Sequence, residues 1–207
     1  DNLKRRLAYS TINQLSYIIL GAALLNSDGV RAAMMHIPFH GFMKITLFLC
    51  AGAIMVVTGR KNISEMAGVG KTMPVTMLAF TITSFGMCGI PPAVGFITKW
   101  YLCQGALKMG VLPDILEARE IFFLFVILTA SLLDVVYFFP IIHTAFFKKP
   151  EGEVEELEVK EAPLFMLIPI SITAIFSVIF LLDFILGLNI ISMYIYRIVE
   201  IGVTSVT

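Results

Sequence analysis

His36, His40 and Lys44 stand four residues apart in MHIPFHGFMKITLFLC, residues 35–50, a run that is otherwise almost wholly apolar. A helix carries positions i, i+4 and i+8 on one face, so the three form a polar column about 12 Å long. Two more charges lie as deep in apolar sequence: Lys99, just past GIPPAVG, and Asp134, near the midpoint of its segment in SLLDVVYFF. Histidine exchanges protons near neutral pH, and lysine removed from water parts with its proton more readily than lysine in solution. A charged group at the centre of a membrane helix costs roughly 2.5–3.5 kcal/mol on insertion scales, which partners, water or a task must offset. The chemistry these side chains suit is proton relay. The plainer alternative is structural pairing of Lys44 or Lys99 with Asp134, and for His36 alone, an interfacial histidine.

The elements that must position them are apolar and long. The 207 residues are 58% hydrophobic and 14% charged, with mean hydropathy +0.90. Soluble domains carry about a quarter charged residues, so this chain lacks the polar surface to coat a globule and reads as an integral membrane protein. Formal net charge is zero, which gives no reason to expect nucleic acid as a partner. Cys50, Cys88 and Cys103 are widely spaced in apolar segments without a CxxC pair, so they read as small core residues rather than a disulfide framework or metal ligands. No cofactor-binding motif is visible. EMAGVGKT, residues 65–72, ends like a phosphate-binding loop, but Glu65 stands where the first glycine belongs and Pro74 follows.

Spans of about 20 apolar residues are expected at 7–25, 30–59, 72–108, 119–147 and 163–188. The third is roughly 55 Å long as one straight helix, yet too short for two. Gly86, Gly89, Pro91, Pro92 and Gly95 in its middle disfavour continuous helix, so a broken helix is predicted. Irregular backbone at membrane depth survives only where protein or a water-filled cavity surrounds it, and transporters place such breaks at ion sites. The expected fold is therefore an all-α transmembrane bundle of about five spans, one of them discontinuous.

Loop charge gives the orientation. Lys4, Arg5, Arg6, Arg60, Lys61, Lys71, Lys148, Lys149 and Lys160 collect on one side, against Arg31, Lys108, Arg119 and Arg197 on the other. The first set is expected in the cytoplasm. Residues 148–162 read as a charged, solvated loop, and 163–207 as one further span with an interfacial tail at 189–201. The opening DNLKRR before an apolar body mimics a signal peptide, but Ser10, Thr11, Asn13 and Gln14 interrupt that body and no cleavage site follows. A chain starting at Asp1 in this way fits a fragment of a longer protein.

DNLKRRLAYSTINQLSYI resembles the D-x-K-R-x-x-A-Y-S-S/T-I-x-Q-x-G-Y pattern of the proton-translocating, antiporter-like membrane subunits found in complex I, membrane-bound hydrogenases and Mrp Na⁺/H⁺ antiporters. HIPFHGFMKITLFLCAGAI is similar to their H-A-F-x-K-A-x-L-F-x-x-A-G segment, and GIPPAVGFITKWYL to their broken helix ending in G-F-x-S-K. Ser16, Gly41 and Thr98 depart from the usual glycine, alanine and serine, without removing a titratable group. The match covers 1–147, and the run through SLLDVVYFFPIIHTAFF most resembles the D-type subunit of Mrp antiporters.

The resemblance implies an inverted-repeat fold of which this chain is most of the second repeat, without the acid–lysine pair of the first. It makes Lys44, flanked by His36 and His40, the lysine of a central hydrophilic axis. Lys99 becomes the lysine at the helix break that exchanges protons with the outer side. Lys4 matches a lysine near the cytoplasmic end of a preceding helix, or is a plain cytoplasmic anchor. The implied function is proton translocation in a multisubunit cation/proton antiporter or a related redox-driven pump of the plasma membrane. Its partners would be lipid, other membrane subunits of the same complex, and protons with Na⁺ as a candidate cation. The alternative is a quinone-reducing membrane subunit of an NADH dehydrogenase-type enzyme.

Overall fold

The computed structural model describes residues 1–91, 93–108, 118–149 and 158–187, with isolated positions 190, 193, 194, 197 and 198 beyond them. Most of the tail at 189–201, and residues 150–157 of the charged loop, lie outside the described residues.

Each helix starts and stops for a local reason. Helix α1 spans Leu3–Ala23, and the Asn2 side chain accepts from the Arg5 amide at its start, 3.0 Å away. That cap draws the basic head into the helix, so α1 begins earlier than hydropathy alone suggests. Helix α2 spans Ser27–Thr58 and is capped by Asn26, which accepts from the Gly29 amide at 2.8 Å. It runs through Pro38 without stopping. A proline inside a helix leaves the carbonyl four residues earlier without its amide partner, here that of Met34.

The 60–73 connection holds a 3-10 turn at Ile63–Met66 and a one-turn helix α3 at Val69–Thr72. The phosphate-loop look-alike is thus spread over two turns, and Glu65 serves as the capping-box partner of Asn62. Helix α4 spans Pro74–Cys88, with Pro74 in its first turn. Its cap comes from far along the chain: Glu161 accepts from the Val75 and Thr76 amides at 2.6 and 3.2 Å, and from the Thr76 hydroxyl at 2.8 Å.

Helix α4 ends at Gly89, at φ +71°, and α5 resumes at Val94–Leu107. The helix is broken where the glycines and prolines fall. Near its start α4 touches Glu161, and Lys160 donates its amide to the Thr72 carbonyl. At the far end Asn26, in the α1–α2 turn, donates to the Gly105 carbonyl of α5 at 2.7 Å. The two half-helices therefore make one discontinuous crossing. Helices α6 (Ala118–Phe147) and α7 (Leu164–Ile185) complete five crossings.

The basic ends meet as the charge pattern requires. The Leu3 amide donates to the Lys61 carbonyl and the Ile63 amide to the Asp1 carbonyl, joining the start of α1 to the end of α2.

Two apolar clusters fill the bundle. The larger includes Leu7, Phe39, Met43, Leu47, Met77, Phe80 and Phe138; the smaller comprises Tyr17, Leu24, Ala32, Leu102, Ala106 and Ile127. On α1, Ser10 and Gln14 fall between Leu7 and Tyr17. On α2, His36 falls between Ala32 and Phe39, and on α6, Asp134 between Ile127 and Phe138. The polar groups thus occupy the seam between the clusters. Outward faces are the reverse of a soluble protein's: Ile12, Ile19, Phe125, Leu128, Leu132 and Phe165 are exposed, as helices facing hydrocarbon or another apolar subunit must be.

Candidate functional site

The break in the third crossing exposes the carbonyls at the end of α4, where a helix has no amides left to offer and carries its partial negative charge. Lys99, one turn into α5, supplies the missing donors. Its ammonium donates to the Met87 and Cys88 carbonyls at 3.2 and 3.0 Å, and to Asp134 Oδ2 at 2.9 Å. All three of its hydrogens are engaged. Glycine makes this possible: a Cβ on Gly89 would lie 2.7 Å from Lys99 Cδ, and one on Gly95 would run into the Gly86 carbonyl oxygen. The ion pair is buried, with side-chain exposures of 7% and 2%. The Tyr17 ring lies under the ammonium, 5.0 Å from its centroid.

Asp134 has further partners on α1. Asn13 donates to its Oδ1 at 2.9 Å and Gln14 to its Oδ2 at 2.8 Å. Gln14 also faces His36, with Oε1 3.1 Å from His36 Nε2, while His36 Nδ1 lies 2.9 Å from the Thr98 hydroxyl. The His36 and His40 rings stack with centroids 5.9 Å apart and planes within 5°. Among the described residues, His40 Nε2 is buried without a hydrogen-bond partner. Lys44 donates to the Leu7 carbonyl and the Ser10 hydroxyl, both at 3.0 Å, and lies 5.9 Å from the centre of the Phe138 ring. No carboxylate among the described residues is within ion-pair distance of Lys44.

The expected column of His36, His40 and Lys44 thus exists as one buried face of α2. Asp134, with Lys99 bonded to it, joins the column through Gln14, and Thr98 bonds the other nitrogen of His36. The structural-pairing alternative holds in part: Lys99 is paired with Asp134, and Lys44 is not paired with it. Lys4 is exposed and stands apart, in a small pocket with Asn2, Arg60 and Lys61.

Sequence reading missed Ser10, Asn13 and Gln14 as members of the site. Their signal was there: the buried face of α1 is Leu3, Leu7, Ser10, Gln14, Tyr17 and Gly21, a 4-3-4-3-4 spacing that places two polar residues on the packed side. Glu161 was likewise read only as part of a solvated acidic run, because no local pattern tells a residue that it will cap a helix 86 positions away.

The family model for the transmembrane subunits of NADH:quinone oxidoreductase and Mrp antiporters matches residues 1–133. The chain belongs to this family. Among relatives in this antiporter-like family, NADH-quinone oxidoreductase subunit N of Desulforudis audaxviator is 36% identical over 184 residues, covering 84% of this chain and 35% of that protein. The chain therefore spans about a third of that relative's length. Among solved structures, a chain of the Mrp complex from Dietzia sp. DQ12-45-1b superposes with TM-score 0.76 at 22% identity, covering 92% of this chain and 41% of that one; this is a likeness of fold. A chain of the archaeal membrane-bound sulfane sulfur reductase gives TM-score 0.68 at 28% identity, covering 87% and 28% respectively. The antiporter-like subunits share with this chain an all-helical membrane architecture.

Proposed function

We propose that this chain carries protons across the membrane as part of a subunit of a multisubunit complex, either a cation/proton antiporter or a redox-driven proton pump. The observation that carries the reading is the buried string Lys44, His40, His36, then Asp134 and Lys99, running from within the larger apolar cluster to the seam between the clusters and ending at a helix break. A structural bundle has little use for this many titratable groups in its interior, since each costs free energy to bury. Lys44 and His40 retain open hydrogen-bonding capacity on the cytoplasmic half of the string, and Lys4 stands one turn of α1 before the Leu7 carbonyl that Lys44 reaches. Lys99 would hand protons outward by leaving Asp134.

Within the family we assign the chain to the D-type of Mrp antiporter subunits, in the plasma membrane, beside other membrane subunits and lipid, with Na⁺ as one candidate for the exchanged cation. The motif likeness from ISEMAGVGKTMP, residues 63–74, through FITKWYL, residues 96–102, to residues 131–147 supports this subtype. The name of the Desulforudis relative supports the second reading, a membrane subunit of a quinone-reducing enzyme; in that case the same string would pump protons without exchanging a cation.

The decisive experiment uses the intact complex in vesicles. Lys44→Met, which removes a proton carrier with no ion-paired carboxylate among the described residues, is expected to abolish proton movement while the complex still assembles. Unchanged proton movement would refute the reading. Adding Na⁺ to the outer medium then separates antiporter from pump.

A further inference from the structure

The Lys99–Asp134 pair and the His36–His40–Lys44 column are joined, among the described residues, by Gln14, with Thr98 on the other nitrogen of His36, and the hydrogen-bond pattern there permits little freedom. The Gln14 amide nitrogen faces Asp134 Oδ2 at 2.8 Å and the Met87 carbonyl at 3.4 Å. Both are acceptors, so this end of the side chain must be the NH₂ group; the reverse orientation would set oxygen against two oxygens. The Gln14 carbonyl oxygen then points at His36 Nε2, 3.1 Å away. An amide oxygen only accepts, so Nε2 must carry hydrogen. In a neutral imidazole the other nitrogen is then bare, and Nδ1 accepts from the Thr98 hydroxyl at 2.9 Å.

Thr98 has a second outlet. Its oxygen is also 3.1 Å from the Gly95 carbonyl, in the first turn after the helix break. A hydroxyl has one hydrogen, so it can satisfy Nδ1 or Gly95, not both. When Nδ1 is bare the hydrogen points to His36. When Nδ1 takes a proton it becomes a donor, and the Thr98 hydroxyl turns to Gly95 and accepts from the ring. No heavy atom needs to move between the two states.

We propose that Gln14 is a positioning residue of the proton path: anchored by Asp134, it commits His36 to the Nε2–H tautomer and leaves Nδ1 as the one basic nitrogen of the ring, open to a proton from water and able to return it there, with the Thr98 hydroxyl as its two-position rotor. Gln14 itself passes no proton. It links the charge at Asp134 to the histidine column by orientation alone.

The transport arm of the test rests on the proposed function; the spectroscopic arm does not. In the intact complex, Gln14→Leu is expected to lower proton movement about tenfold or more with assembly unchanged. Gln14→Glu is expected to restore most of it, because a protonated carboxyl donates to Asp134 with one oxygen and accepts from His36 with the other. Thr98→Val is expected to lower proton movement, and Thr98→Ser to retain it. In ¹⁵N-histidine-labelled protein, with the His36 signal identified by its loss in His36→Gln, the native ring is expected as a single Nε2–H species and the Gln14→Leu ring as a mixture. Native rates in Gln14→Leu, or an Nδ1–H ring in the native protein, would overturn the proposal. Loss of the tautomer lock with no loss of transport would remove Gln14 from the path. If Lys44→Met also transports normally, the proposed function falls while the tautomer assignment stands.

Discussion

Lys99 and Lys44 are both lysines buried in helical crossings, but their surroundings give them different work. Lys99 spends its three hydrogens on two carbonyls and a carboxylate, whereas Lys44 has one carbonyl, one hydroxyl and an aromatic face. Removing one member of a buried ion pair costs about 3–5 kcal/mol, because the other charge is left uncompensated; removing both costs much less. Lys99→Met is therefore expected to lower the thermal stability of the purified complex markedly. Adding Asp134→Asn should recover much of that loss by removing the uncompensated charge, although its single oxygen keeps an acceptor for only one of Asn13 and Gln14, which donate to different oxygens of the native carboxylate. Proton movement should stay low in the double variant. Melting curves and vesicle proton uptake on the same preparations separate the two effects; recovery of transport along with stability would make the pair merely structural.

At the scale of elements, the discontinuous crossing is the device that matters. Gly89 combines a left-handed backbone with contact to the Lys99 stem. Gly89→Ala faces about 1–2 kcal/mol of backbone strain and a methyl group where the lysine chain runs, so the ammonium must leave the α4 carbonyls. Proton movement is expected to fall several-fold while helix content, read by circular dichroism, barely changes. The polar connection between α2 and α3 gives a pH prediction. Glu65 accepts from the Asn62 side chain at 2.8 Å and from the Asn62 and Lys61 amides, both at 3.2 Å, which holds its carboxyl below the usual range. A depressed pKa contributes stability above the unfolded value, about 4.3, that is lost as pH falls through the lower folded value. Amide exchange at Lys61 and Asn62, corrected for intrinsic rates, should thus stay slow at pH 5 and above and quicken only as pH falls below the ordinary carboxylate range. Loosening between pH 5 and 7 would contradict the capping role.

For the molecule as a whole, the same five crossings that build the seam also sort the charges. The start of α1, the end of α2 and the α3 connection are tied together by backbone hydrogen bonds. At the opposite end, Asp28 on α2 pairs with Lys108 after α5 and with Arg31. Cysteine placed at Lys61 or Lys148 should react with an impermeant maleimide only from the cytoplasmic side, and cysteine at Lys108 only from the other. Labelling of Lys61 and Lys108 positions from one side would break the five-crossing topology.

The pattern of residues settled a good deal alone. Hydropathy located every crossing within a few residues, since a membrane span must be long and apolar whatever its neighbours do. Gly86, Gly89, Pro91 and Gly95 announced the break, because the steric rules behind it are local. The i, i+4, i+8 spacing of His36, His40 and Lys44 put them on one face for the same reason. What waited for the fold was everything that depends on which helices become neighbours. Asp134 could have met either lysine, and only packing of α6 against the broken helix chose Lys99. Gln14 and Ser10 looked like blemishes in an apolar helix until α1 turned them toward Asp134, His36 and Lys44. Glu161 capped α4 only because α7 begins beside it. Periodicity along one chain fixes which face a side chain occupies, but a hydrogen bond needs a second chain segment within about 3 Å, and that distance is set in three dimensions.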